Sequence, residues 1–150
     1  MKIVVGSDHA GFPMKAEMLA FLREQGHEIE DVGSYDPHPV DFPDIARKVA
    51  AAITSGKAER GIALCGSGIG ISISVNRHPA CRCALVSDGL SARLAREHND
   101  ANVVAMGGRL IGLEMAKACL DAFLATPFGG GRHERRVDKL SHPHFAKEPA

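Results

Sequence analysis

With 150 residues, the chain is sized for one domain with a full hydrophobic core, which excludes a multi-domain enzyme. Apolar residues make up 45% and charged residues 24%, a balance too hydrophobic for a disordered chain. Lys and Arg number 18 against 18 Asp and Glu, a formal net charge of +0, so no global basic field holds nucleic acid or an anionic membrane, and any anion site must be local.

The opening Met1-Lys2-Ile3-Val4-Val5-Gly6-Ser7-Asp8 turns polar too soon for a signal peptide. No apolar run approaches the roughly 18 residues of a membrane span, and a cytoplasmic location is expected. Ile3 to Ser7 predicts a strand. Phe12 to Gln25 then places Met14, Met18, Leu19 and Leu22 at helical spacing and stops at Gly26. Glu28 to Val32 predicts a second strand, Phe42 to Ser55 a helix ending at Gly56, and Gly61 to Cys65 a third strand. A third helix starts in the loop after Cys65 and runs to about Val75. Arg82 to Ser87 reads as the fourth strand, Leu90 to Glu97 as the fourth helix and Val103 to Met106 as the fifth strand. Leu113 to Ala125 is a helix halted by Pro127. After Gly129-Gly130-Gly131 a short helix covers His133 to Leu140, and residues 141–150 read as a polar tail beyond a single domain of residues 1–140.

Continuous Val- and Ile-rich strands alternating with helices predict a parallel sheet covered on both faces. The expected fold class is α/β, a doubly wound three-layer αβα sandwich with five strands in the Rossmann/flavodoxin-like order 2-1-3-4-5. That order puts the topological switch between strands 1 and 3, and ligands bind beyond their carboxyl ends. Asp8-His9-Ala10-Gly11 follows the first strand, and Cys65 with Gly66-Ser67-Gly68-Ile69-Gly70 ends the third.

The Gly66 to Gly70 loop can converge backbone amides on an anion, or it is a tight turn that needs glycine for its backbone angles. Its spacing is neither GxGxxG nor Walker A, which disfavours a nucleoside triphosphate. Cys65, ahead of the loop, suits a base or nucleophile; the other reading is a small apolar side chain at a strand end. Cys81, Cys83 and Cys119 take that second reading. Cys81-x-Cys83 near His78 is a weak metal pattern, since a strand would point both thiols the same way without supplying further ligands. His98-Asn99 ends the fourth helix at the amino end of the sheet, opposite the crevice. His98 is therefore either a helix C-terminal histidine interacting with the dipole or a group serving a neighbouring subunit's site. Arg132 and Arg136, four apart, either clamp a phosphate or form a solvated basic patch with Arg135. Arg109, after Gly107-Gly108, is a further candidate anion ligand.

The ordered set Gly6-Ser7-Asp8-His9-Ala10-Gly11-Phe12, Asp41-Phe42-Pro43, Cys65 to Ser72, Glu97-His98-Asn99-Asp100-Ala101-Asn102, Gly107-Gly108-Arg109 and Gly130-Gly131-Arg132-His133-x-x-Arg136-Val137 strongly resembles the ribose-5-phosphate isomerase B family, which also holds the galactose-6-phosphate isomerase subunits. The resemblance runs from Lys2 to about Leu140. It implies a metal-independent aldose–ketose isomerase of phosphorylated sugars working through a cis-enediolate. By the same resemblance Cys65 is the base between C2 and C1, and the amides of Gly66, Ser67, Gly68, Ile69 and Gly70 hold the enediolate oxygen. His98, assisted by Asp8, opens the furanose ring. His9, Arg132 and Arg136 bind phosphate, and Asn99 and Arg109 complete the substrate contacts. Ser67 stands where many members carry Thr and keeps the catalytic loop's hydroxyl; Phe42 stands where Tyr is frequent. Family members are dimers whose sites draw on both subunits, which implies a homodimer, with a dimer of dimers as the larger option; the balanced charge leaves no nucleic-acid or membrane partner expected. Ribose 5-phosphate is the expected substrate, with a tetrose 4-phosphate, allose 6-phosphate or galactose 6-phosphate as alternatives. From other classes, a non-catalytic nucleotide- or phosphate-binding module has no need of Cys65 with His98. A cysteine redox or acyl-transfer enzyme lacks a resolving CxxC.

Overall fold

A computed structural model of the chain describes residues 1–143; residues 144–150 of the expected tail lie outside it. The strands are β1 (Lys2–Ser7), β2 (Glu28–Asp31), β3 (Arg60–Cys65), β4 (Cys83–Leu85) and β5 (Val103–Gly107). The helices are α1 (Phe12–Glu24), α2 (Phe42–Thr54), α3 (Ile69–Val75), α4 (Gly89–Asn99), α5 (Leu113–Ala125) and α6 (Arg132–Ser141). All four strand pairings are parallel. The α/β three-layer sandwich is as expected, and the last helix takes Ser141 away from the tail. No helix among the described residues is long and apolar enough to cross a membrane.

The strand order is β2-β1-β3-β5-β4, which corrects the expected 2-1-3-4-5 at the far edge. β5 is buried throughout and belongs inside the sheet, whereas β4 is three residues long with Leu85 exposed, the profile of a short edge strand. The swap decides where α4 packs. A right-handed crossover from β4 back to β5 carries α4 to the opposite face from α3. Ala92 and Ala95 of α4 accordingly join Met14, Met18 and Leu22 of α1 and Cys119, Leu120 and Phe123 of α5 in one core. Ile45, Ala46 and Val49 of α2 pack with Ile71 and Val75 of α3 in the other. Each fully buried Leu, Ile or Phe in these layers contributes about 1.5–3 kcal/mol. The switch between β1 and β3 is untouched by the correction.

A charged side chain of α1 is buried in the α1 layer. Lys15 is 1% exposed and its Nζ donates to Asp31 Oδ1 at 2.7 Å and to the Ser34 carbonyl. It shares the helical face of Met18, Leu19 and Leu22, and the spacing 15, 18, 19, 22 was the signal that it would be buried.

Candidate active site

The carboxyl ends of β1, β3 and β5 meet at the switch point. The Asp8 amide donates to the Leu64 carbonyl at 3.1 Å, joining the ends of β1 and β3. The buried Asp8 carboxylate turns the chain into α1, its Oδ1 accepting from the amides of Ala10 at 2.9 Å and Gly11 at 3.0 Å. A Cβ at Gly11 would lie 2.7 Å from the Leu64 carbonyl carbon, so the chain can approach β3 only without a side chain there.

Cys65, the last residue of β3, is 5% exposed. Its Sγ accepts from the Gly68 amide at 3.1 Å. Gly68 adopts φ +77°, and a Cβ there would stand 2.7 Å from Met106 backbone, so glycine is needed for both conformation and space. The Ile69 amide donates to Ser67 Oγ at 3.2 Å. Two of the loop's amides are thus engaged within the loop, a refinement on the expectation that all of Gly66 to Gly70 face a ligand. The next loop closes over this one: the Gly108 amide donates to the Cys65 carbonyl at 2.9 Å and the Arg109 amide to the Gly66 carbonyl at 3.0 Å.

These residues line an open cleft of about 410 Å³ formed by Asp8, His9, Phe42, Cys65, Ser67 and Arg109, among others. Phe42 packs against Gly70, where a Cβ would come within 2.8 Å of the ring. His9 Nδ1 accepts from the Val40 amide at 3.2 Å. Cys65 is the one cysteine lining this cleft. Burial pushes the Cys81 and Cys119 thiols up to about 11 each and raises Cys83 too, which suits the inert role expected of them. Among the described residues no group of three His, Cys, Asp or Glu side chains converges as metal ligands would.

The remaining expected residues gather elsewhere. His98 and Asn99 form the last turn of α4, two residues beyond the expected end. Asp100 caps that helix with φ 46°, its Oδ1 held by Arg96 at 2.7 Å and its Oδ2 by Arg82 at 3.3 Å. The His98 ring stacks on His133 of α6, and the Gly129 amide donates to the Glu97 carbonyl at 2.9 Å, so α6 is tied to the end of α4. Arg132 and Arg136 are exposed on α6 beside this stack. Burial, then the neighbouring charges of His98, Arg132 and Arg136, hold His133 below the usual 6.5, while Glu97 acts the other way.

The Asn102 carbonyl accepts from the Gly61 amide, so this cluster adjoins the amino ends of β3 and β5. Cys65 is at the other end, about 15 Å away at ~3.3 Å per strand residue. One chain therefore assembles Asp8, His9, Cys65, the glycine loop and Arg109 at one end of the sheet, and His98, Asn99, Arg132 and Arg136 at the other. Residue reasoning missed His133, Lys15 and the Val40 amide. His133 stood inside a quoted motif without an assigned part, and a backbone donor leaves no mark in a sequence.

A thiol among backbone amides, flanked by a carboxylate and an imidazole, is equipped to move a proton on a polar substrate while oriented donors hold the charge that develops.

Comparison with known proteins agrees. The family model described as Ribose/Galactose Isomerase matches residues 3–140. Ribose-5-phosphate isomerase B of Escherichia coli is 44% identical over 140 residues, covering 93% of this chain and 94% of that protein. The ribose-5-phosphate isomerase B structure from Clostridium thermocellum superposes with a TM-score of 0.93 at 46% identity, covering 94% of this chain and 95% of that one. The Thermotoga maritima structure of the same name gives 0.92 at 49% identity, covering 93% and 97%. With its fold, its motifs and nearly its whole length in common with these proteins, the chain belongs to the ribose/galactose isomerase family.

Proposed function

We propose that the chain is a metal-independent aldose–ketose isomerase of phosphorylated sugars, acting on ribose 5-phosphate and ribulose 5-phosphate. The observation that carries this reading is Cys65 in the switch-point cleft, its Sγ accepting from the Gly68 amide, with Asp8 and His9 lining the same cleft. Cys65 takes the proton from C2 of the open-chain sugar and returns it to C1, while the O2 hydroxyl proton passes to O1 across the cis-enediolate, which turns the C1 aldehyde into a hydroxyl and the C2 hydroxyl into a ketone. Loop amides not engaged within the loop, with Ser67 Oγ, hold the enediolate oxygen, a charge present only after the proton leaves. Asp8, fixed by two amides through Oδ1, assists His98 in opening the ring. His9 and Arg109 contact the substrate from the same chain.

His98, Asn99, Arg132 and Arg136 cannot reach their own Cys65 from the far end of the sheet, so we assign them to the cleft of a second copy in a homodimer. The apolar surface such a partner needs is at hand: Ile69 is 50% and Ile73 55% exposed, one turn apart on α3, beside the cleft. Four thiols free of disulfides fit the reducing cytoplasm.

The test is turnover of four-, five- and six-carbon aldose and ketose phosphates by the purified protein with EDTA present. Fastest interconversion of ribose 5-phosphate and ribulose 5-phosphate is the expected result. Preference for another chain length would move the substrate and keep the mechanism; silence across the panel would overturn the reading.

A further inference from the structure

The segment between β2 and α2, residues 32–41, is tied to the site at both ends. At its start the Ser7 amide donates to the Gly33 carbonyl at 2.7 Å and the Ser34 amide to the Ser7 carbonyl at 2.6 Å, directly beside Asp8 and His9. The buried Lys15 ammonium pins the same turn through Ser34 and Asp31. Asp31 Oδ1 also accepts from the Gly33 amide at 3.0 Å, and the rings of Phe12 and Tyr35 flank the ammonium at 5.7 and 5.3 Å. At its far end the Val40 amide reaches His9 Nδ1.

That last bond carries chemical information. A backbone N–H can only donate, so the atom facing it presents a lone pair. The choice of tautomer that a histidine's side-chain partners usually leave open is closed here by a main-chain group. With Nδ1 the acceptor, the neutral ring carries its proton on Nε2.

We propose that Val40 is a positioning residue. Its backbone N–H, braced by the Lys15-anchored loop, holds His9 as the Nε2–H tautomer, so that His9 meets the substrate's phosphate end as an oriented, uncharged donor. The part about substrate rests on the isomerase reading; the tautomer does not. On this view the charge that balances the phosphate comes from the arginines, and His9 supplies direction.

The test is two-bond 1H–15N correlation NMR on 15N-histidine-labelled protein above pH 8, with His9 assigned by its loss in His9→Gln. The expected wild-type pattern is an N–H-bearing Nε2 and a lone-pair Nδ1. Val40→Pro removes the donor and is expected to lose that single tautomer. It should also raise KM for ribose 5-phosphate by about 3- to 10-fold, the worth of one hydrogen bond, with kcat changed less. Val40→Ala keeps the amide and should keep both tautomer and KM. A wild-type His9 protonated on Nδ1 would overturn the inference even if Val40→Pro fails to fold. A folded Val40→Pro with unchanged tautomer and KM would overturn it too. An Nε2–H His9 in a protein silent on every sugar phosphate would sink the substrate part alone and leave the positioning by Val40 standing.

Discussion

The imidazole of His98 stacks on that of His133, with centroids 4.5 Å apart and planes 15° from parallel. The contact couples the group assigned to ring opening with the helix that carries Arg132 and Arg136. Protonating both rings sets like charges face to face. His133 is held below 6.5 by burial and by this cationic neighbourhood, against the pull of Glu97. Because the folded value is depressed, the contribution of neutral His133 to stability is present above the unfolded value and is lost as pH falls through the folded one. An NMR titration should put the His133 midpoint below 6.5, with Arg132→Gln or Arg136→Gln moving it upward. A midpoint at or above 6.5, unmoved by either change, would refute the coupling.

Cys65→Ala should lower kcat about 10²- to 10⁴-fold, the usual worth of a positioned base, while the dissociation constant for ribose 5-phosphate changes little. Calorimetric binding beside steady-state kinetics separates the two. A loss of affinity equal to the loss of rate would make Cys65 a binding group.

The thiols should differ in reactivity. Burial raises Cys81 and Cys119 to about 11 and lifts Cys83 as well, leaving scant thiolate at neutral pH. Brief iodoacetamide treatment at pH 7.5 followed by mass spectrometry should find the label at Cys65, with protection by ribose 5-phosphate. Labelling of Cys119 ahead of Cys65 would contradict the assignment.

Removing the buried cation should be costly. Lys15→Met leaves Asp31 and the Ser34 carbonyl without their shared donor, and hydrogen bonds from a charged group typically contribute about 1.5–3 kcal/mol. The urea midpoint should fall accordingly. An unchanged midpoint would show that the clamp adds nothing.

Much of this arrangement was legible beforehand. Apolar runs, with stops at Gly26, Gly56 and Pro127, located the five strands and six helices of the described residues, and a helix antiparallel to its strands had to deliver His98 to the end of the sheet opposite Cys65. The exchange of β4 and β5 was not legible. Both runs are apolar, and only tertiary packing distinguishes the covered Val103–Gly107 from the edge Cys83–Leu85. The end of α4 was placed early because its cap is Asp100, a left-handed non-glycine held by Arg82 and Arg96, where a glycine would have marked the stop. Lys15 could have been read from its place on an apolar stripe. The Val40–His9 bond could not, since it joins a main-chain donor to a side chain 31 residues away.

The central claim is that each working site combines Cys65 of one chain with His98 of another. Subunit complementation tests it most directly. Cys65→Ala and His98→Gln proteins, each inactive alone, are mixed in equal amounts, dissociated and reassociated, and assayed with ribose 5-phosphate. In a two-fold dimer, half the assemblies are then heterodimers with one intact site each, so roughly a quarter of wild-type activity should return. No recovery after verified exchange of subunits would contradict the shared site.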